Sequence, residues 1–383
     1  MAVSSAASRP TSFVFAPFAD SAATPFSLSE LLQAYYDCRK HKRNTNSALG
    51  FEINLESNIV QLMDELLSGA YQPGKSICFV VTRPKAREVW AADFRDRIVH
   101  HLLYNKISAR FENSFLADSC ACIKGRGTLY AGQRLESKIR SITQNWSVPV
   151  FYLKCDLANF FVSIDKTVLL NLLRKKINEP WWMALAEKVL MHDPRTNYIT
   201  HSSEKFFNLV PPHKRLVNQS ANLGLPIGNL SSQFFANIYL NELDQFVKHQ
   251  LHVKHYIRYV DDFLLLHESP QQLNIWLNSI NEFLPAIGAK LNPKKTIIQP
   301  IDRGVDFVGH VVKPFHRITR KRSVNQAIKR IKTINKNDLM KTANSYFGLL
   351  RQASHSHKSR SKLARAILMR GKAVNKYLTK TYK

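Results

Sequence analysis

The stretch Tyr256-Ile257-Arg258-Tyr259-Val260-Asp261-Asp262-Phe263-Leu264-Leu265-Leu266-His267 decides how this chain is read. Two adjacent carboxylates stand between two runs of aromatic and branched apolar residues. The flanks predict two short strands, with the acidic pair as the tight turn between them. Successive side chains of a strand point to opposite faces, so a turn is what presents two consecutive acids on one side. Apolar flanks bury the base of such a turn and hold it rigidly. Asp-Asp is also an ordinary solvated hairpin turn, and the dipeptide alone favours that reading. Rigidly held carboxylates instead suit a hard divalent cation such as Mg²⁺, which takes oxygen ligands and keeps waters and phosphates as the rest of its shell.

Partners for such a site lie upstream. Val148-Pro149-Val150-Phe151-Tyr152-Leu153-Lys154-Cys155-Asp156 predicts an apolar strand ending in a carboxylate, with Phe160-Phe161 four and five residues on. A strand-end acid is commonly a turn or helix cap. One that terminates a core strand is costly to bury unless paired or metal-bound. Asp156 and Asp261 together supply the two carboxylates of a two-metal phosphoryl-transfer site. Arg83, Lys85 and Arg87 fall on a turn and strand just before a helix opened by Asp93-Phe94-Arg95, a placement that suits a triphosphate. Lys124-Gly125-Arg126-Gly127 resembles a phosphate cradle but lacks the spacing of an NTPase P-loop. Gly224-Leu225-Pro226-Ile227-Gly228-Asn229-Leu230-Ser231-Ser232-Gln233 predicts a loop open to close approach, then a helix from Phe234 to about Leu251 capped by Ser231 or Ser232.

Charge points to the partner class. The chain of 383 residues carries a formal +27. Twenty Lys and Arg and the single acid Asp338 fall between Lys313 and Lys383. Such an excess suits a polyanion, nucleic acid before an acidic membrane surface. No run approaches membrane-span length, and residues 1–26, rich in Ser, Ala and Pro, predict a loose tail and no signal peptide. Cys38, Cys78, Cys120, Cys122 and Cys155 form no zinc pattern and are expected as reduced, mostly buried thiols of a cytoplasmic protein.

The remaining pattern is helical with short strands. Helices are expected over 27–43, capped by Ser27 or Ser29, then over 55–68, 129–142, 168–176, 180–192 and 271–287. Arg39-Lys40-His41-Lys42-Arg43 ends the first as a basic cluster. A strand is expected at 77–81, a loop at 193–218 and a short hairpin at 305–312. Beyond it lie basic helices with apolar stripes, suited to the backbone of a duplex.

The order of these segments resembles the reverse transcriptases, over about Phe26 to Lys313. Arg83 to Arg97 resembles the first fingers block and Phe115 to Gly127 the second. Asp156 to Asp165 resembles the palm block of the first metal-binding aspartate, and Gly224 to Gln233 the block over the templating base. Tyr259-Val260-Asp261-Asp262 resembles the catalytic turn. Leu291 to Thr296 and Phe307-Val308-Gly309 resemble the last two palm blocks. The form Leu-Pro-Ile-Gly-Asn-Leu-x-Ser-Gln, where retroviral and group II intron enzymes usually carry Pro-Gln-Gly, is similar to the reverse transcriptases of diversity-generating retroelements.

The resemblance implies an α+β, right-hand polymerase fold: a flexible tail (1–26), fingers with N-terminal helices (27–147), palm (148–312) and a basic helical thumb (313–383). It implies two Mg²⁺, replaceable by Mn²⁺, on Asp156, Asp261, Asp262 and the Leu157 carbonyl. Lys85, Arg87, Phe161, Ile227, Gly228, Gln233 and Lys295 would contact nucleotide, with Phe161 as the ring that excludes a ribose 2′-hydroxyl. Arg126, Lys321, Arg322, Lys329 and Arg330 would contact nucleic acid. Lys294 or Lys295 could protonate the leaving group or serve structure alone. Expected partners are an RNA template, a DNA or RNA primer, dNTPs and a small basic helical oligomeric accessory protein, with no membrane. The location would be the cytoplasm of a prokaryotic cell, with the gene cellular or phage-borne. Rival readings are a group II intron-like or phage-defence reverse transcriptase and a catalytically silent RNA-binding protein on the same fold. Three costly acids kept together argue against the silent form.

Overall fold

The structure, a computed structural model, describes residues 24–40, 44–83 and 85–382. In chain order come helices α1 (Leu28–Arg39), α2 (Asn46–Ile53) and α3 (Leu55–Leu67), strands β1 (Ser76–Val81) and β2 (Arg87–Ala91), and helices α4 (Phe94–Glu112) and α5 (Thr128–Ile142). Strand β3 (Phe151–Asp156) precedes helices α6 (Phe160–Ser163), α7 (Lys166–Arg174) and α8 (Pro180–Met191), strand β4 (Tyr198–Thr200), and helices α9 (Glu204–Phe207) and α10 (Leu230–Gln245). Then follow β5 (Tyr256–Tyr259), β6 (Asp262–His267), α11 (Pro270–Phe283), β7 (Ile297–Pro300), β8 (Val305–Phe307), β9 (His310–Lys313) and β10 (His316–Thr319). Helices α12 (Lys321–Thr333), α13 (Lys336–Leu350) and α14 (His357–Leu368) follow. The class is α+β, as expected.

The chain groups into two compact units: residues up to Ser114 with Phe161–Tyr239, and Phe115–Phe160 with Leu240–Lys383. Each joins two separated stretches, so neither coincides with the contiguous segments 27–147, 148–312 or 313–383.

In the first unit, Ser27 starts α1 through a capping box: its Oγ accepts from the Glu30 amide at 3.2 Å, and the Glu30 carboxylate accepts from the Ser27 amide at 2.8 Å. Ser27 rather than Ser29 is therefore the cap. The helix stops at Arg39, short of the expected Arg43; residues 41–43 lie outside the described residues, as do 1–23. Phe26, expected in the tail, is buried, and its ring packs against Trp181 and Trp182 at centroid distances of 5.3 and 6.3 Å. β1 and β2 form an antiparallel hairpin, and β4 adds to β1 in parallel, giving the order β2-β1-β4. β4 and α9 fall where a loop is expected. α10 begins at Leu230, so Ser231 and Ser232 are buried inside its first turn and are not its caps.

The second unit is built on a four-stranded antiparallel sheet in the order β5-β6-β3-β7. Tyr152, Ile257, Leu264 and Leu266 of this sheet pack with Leu135 and Ile139 of α5 and with Val312 of β9. A second sheet runs β10-β9-β8. The expected hairpin at 305–312 is thus three-stranded, and regular helix begins at Lys321 rather than at 313. Ile331, Leu339, Phe347, Leu350, Leu363 and Ile367 close the core of α12, α13 and α14. Among the described residues no helix is long and apolar enough to cross a membrane.

Candidate active site

The second unit brings three acids to one end of its sheet. Asp156 is the last residue of β3 and stands opposite Asp262, the first residue of β6; Asp262 also pairs with Tyr259 of β5. The turn is therefore Val260-Asp261, one residue earlier than the expected Asp261-Asp262. The correction preserves the presentation of both acids, because a turn residue escapes the strict alternation of a strand. Val260 has φ 55, a left-handed backbone that a β-branched residue rarely adopts. The Asp261 carbonyl accepts from the Leu157 amide at 3.2 Å, which ties the turn to the residue after Asp156.

A buried ion pair lies behind that turn. Arg258 is 1% exposed, and Asp244 near the end of α10 is 0% exposed. The Arg258 Nε and Nη2 donate to the two Asp244 oxygens at 2.7 and 2.6 Å. Tyr256 donates its hydroxyl to Asp244 at 2.7 Å, and Ser119 donates to the same carboxylate. Arg258 Nη1 then reaches the Val260 carbonyl at 3.1 Å. The strained turn is thus fixed from beneath by a charge network with every strong acceptor engaged. Sequence reasoning missed this pair. The only available signal was an arginine inside an otherwise apolar strand.

Cations surround the acids. Lys295 donates to both Asp156 oxygens at 2.6 and 2.7 Å. Asn292 adds a bond from its side-chain amide at 3.3 Å, and its backbone amide donates to the Asp156 carbonyl at 2.8 Å. Lys154, two residues before Asp156 on the same face of β3, donates to the Asp306 carbonyl at 2.9 Å. Burial, then the charges of Asp156 and Asp262, push Asp261 up to about 6. Burial also raises Asp262, while Lys154 pulls it back. Carboxylates that repel one another in a half-buried site are stabilised as anions by added positive charge. The donors are hard oxygens, with no thiolate or imidazole among them, which fits Mg²⁺ or Mn²⁺ rather than a soft metal. Among the described residues no group of three or more His, Cys, Asp or Glu side chains is set to hold a metal by itself.

The first unit holds the other expected nucleotide contacts. Arg87 is the first residue of β2 and is exposed, as is Lys85 in the loop before it. The Ile227 carbonyl accepts from the Trp90 amide of β2 at 2.7 Å, and the Phe161 carbonyl of α6 accepts from the Leu225 amide at 2.8 Å. Gly228 has φ 128, and a Cβ there would meet Val89 Cγ1 at 2.8 Å and the Trp90 carbonyl at 3.1 Å. Only glycine lets the loop lie this close to β2. Gln233 is exposed in the first turn of α10.

The expected nucleic-acid contacts divide. Lys321, Arg322 and Lys329 are exposed on α12, and Arg330 is half-buried, opposite a buried stripe of Val324, Ala327 and Ile331. Arg126 turns inward and donates to the Leu116 and Ser119 carbonyls at 2.6 and 2.9 Å. Its Nη1 braces the loop, and the side chain is half-buried.

Residues 83–312, more than half of the chain, match the reverse transcriptase (RNA-dependent DNA polymerase) family. The chain belongs to that family. Its members are RNA-directed DNA polymerases, hence nucleotidyltransferases. Protein YkfC of Escherichia coli strain K12 is similar, at 23% identity over 312 residues covering 71% of this chain and 74% of that protein. The 91 kDa protein in the cob intron of Schizosaccharomyces pombe is 26% identical over 200 residues, 52% of this chain. This reverse transcriptase spans only 21% of that intron protein's length. Among solved structures, telomerase from Candida albicans in complex with a TWJ fragment of telomeric RNA aligns with a TM-score of 0.45 and 15% identity. That alignment covers 82% of this chain and 57% of the telomerase chain.

Proposed function

We propose that the protein copies a template-repeat RNA into cDNA with frequent errors opposite adenine, the cDNA then replacing a variable repeat in a target gene. The observation that carries this reading is Ile227. Its carbonyl is tied to β2 through the Trp90 amide, and it stands in the sequence position where retroviral and group II intron enzymes usually carry glutamine. An apolar side chain fills space there and offers no hydrogen bond, so discrimination between base pairs weakens.

For the chemistry, Asp156 and Asp261 would hold two divalent cations, with Asp262 and the Leu157 carbonyl in support. When bound, Mg²⁺ or Mn²⁺ supplies the positive charge that favours a primer 3′-alkoxide and neutralises the leaving pyrophosphate. Asn292 orients the Asp156 carboxylate. Lys295, whose ammonium lies on Asp156, balances the acids before substrate arrives, and in this reading either it or Lys294 would give a proton to the departing oxygen. Arg87 and Lys85 grip the triphosphate, and the Phe161 ring excludes a ribose 2′-hydroxyl. The partners in this reading are RNA, a primer, dNTPs and a small basic accessory protein, in the cytoplasm. The likeness to the cob intron protein favours a second reading, an intron-type reverse transcriptase with the same chemistry and a different RNA.

Sequencing cDNA made on a defined RNA template separates the two. Under the first reading the parent misincorporates mainly opposite template adenines, and Ile227→Gln lowers those errors by about tenfold, the scale of one hydrogen-bonded contact of about 1.4 kcal/mol. Accurate copying by the parent, or an error spectrum unmoved by the substitution, would count against it.

A further inference from the structure

The described chain after α14 is a short segment that the catalytic reading does not use. Its ends meet at an isolated bridge between Val374 and Thr381. Asn375 closes the turn: its side-chain oxygen accepts from the Thr379 and Lys380 amides at 2.8 and 3.0 Å, and its amide donates to Thr379 Oγ1 at 2.8 Å. Asn344 of α13 clamps the Thr381 backbone, accepting from its amide at 2.8 Å and donating to its carbonyl at 3.3 Å. Arg360 of α14 donates to the Tyr377 carbonyl at 2.6 Å. Val374 and Leu378 pack against the helical core. The segment is thus pinned by side chains of two helices and by its own asparagine.

What it presents is aromatic and cationic. Tyr377 is 66% exposed and Tyr382 46% exposed, although the turn that carries them is rigidly tied. Lys376 lies over the Tyr377 ring at 4.9 Å and Lys380 over the Tyr382 ring at 5.3 Å. Lys372 adds a third cation, and no acid occurs between Gly371 and Lys383. An exposed tyrosine on a loose tail loses its freedom on stacking; one on a braced turn has already lost it. Rings interleaved with lysines match a polyanion whose bases are free to stack, which a single strand offers and a duplex does not.

We propose that the turn at residues 371–382 is a stacking site for single-stranded RNA, binding one or two unpaired bases on Tyr377 and Tyr382 with Lys376 and Lys380 on the flanking phosphates. This rests on the reading of the protein as an RNA-copying enzyme, and it places a contact to unpaired RNA outside the acid site.

The test is equilibrium binding by the full chain, without nucleotide or metal, of a labelled unstructured RNA and of an RNA–DNA hybrid duplex. Omitting catalysis keeps this result separate from any failure of the polymerase reading. Tyr377→Ala/Tyr382→Ala should weaken single-strand binding by about tenfold or more, since each stacked base is worth about 1–3 kcal/mol. The same pair should leave duplex binding and the slope of affinity against salt unchanged. Tyr377→Phe/Tyr382→Phe should restore parental affinity, and Lys376→Ala/Lys380→Ala should flatten the salt slope by about 0.7 per phosphate released. Unchanged single-strand affinity in the alanine pair, an equal loss on the duplex, or a phenylalanine pair as weak as the alanine pair would each overturn the proposal. Matching thermal unfolding of all variants excludes misfolding as the cause.

Discussion

At the scale of single residues, the site depends on a charge it does not expose. Arg258 and Asp244 are both sealed from solvent, and Arg258 also holds the Val260 carbonyl beside Asp261. Removing one partner of such a pair strands the other charge in the interior. Arg258→Met should therefore lower the unfolding free energy by about 3–5 kcal/mol, read by urea unfolding. The double variant Arg258→Met/Asp244→Leu should regain most of that loss, because no unpaired charge remains. A double variant as unstable as the single one would mean that packing, not charge, sets the effect. The acids themselves were legible in the sequence: Asp156 ends an apolar strand, and Asp261-Asp262 interrupts one. Asn292 beside Asp156 and Asp244 beneath the turn were not, because each is brought there by strand pairing or helix packing of distant stretches of chain.

At the scale of elements, close backbone approach shapes the loop before α10. Gly228 lies on β2 at φ 128, where a Cβ would strike a side-chain methyl and a backbone carbonyl. Gly228→Ala should cost about 1–3 kcal/mol of stability and shift Ile227 from its place, a loss measurable by thermal unfolding and as lower primer-extension activity. A fully stable alanine variant would show that the loop relaxes freely. The strands and helices with clean periodicity were legible, above all the β5–β6 hairpin and the stripe of α3. The one-residue displacement of the turn was not, since either dipeptide could have closed the hairpin. β10 was hidden for a physical reason: its inward residues are Arg317 and Thr319, while Ile318 faces outward less buried. Arg317 spends its buried charge on Glu136 and the Gln352 carbonyl, so a polar face does the work of an apolar one. β4 has three exposed residues and no alternation to read. α2 is eight residues long with a glycine inside.

At the scale of the whole molecule, composition and family agree on a polyanionic partner. The +27 charge is concentrated toward the C-terminal end, and the match to reverse transcriptases covers residues 83–312. Sequence order alone did not show that each compact unit is assembled from two separated stretches, because that grouping is set by contacts between segments far apart in the chain. In the proposed mechanism, the acids at the end of the β5-β6-β3-β7 sheet make this chain a polymerase. Primer extension on an RNA template with dNTPs and Mg²⁺ tests it most directly, comparing the parent with Asp261→Asn, which keeps the shape of the turn and removes its charge. The parent should synthesise DNA and the variant only background, with equal folding and equal RNA binding. Synthesis at the parental rate by Asp261→Asn would contradict that mechanism.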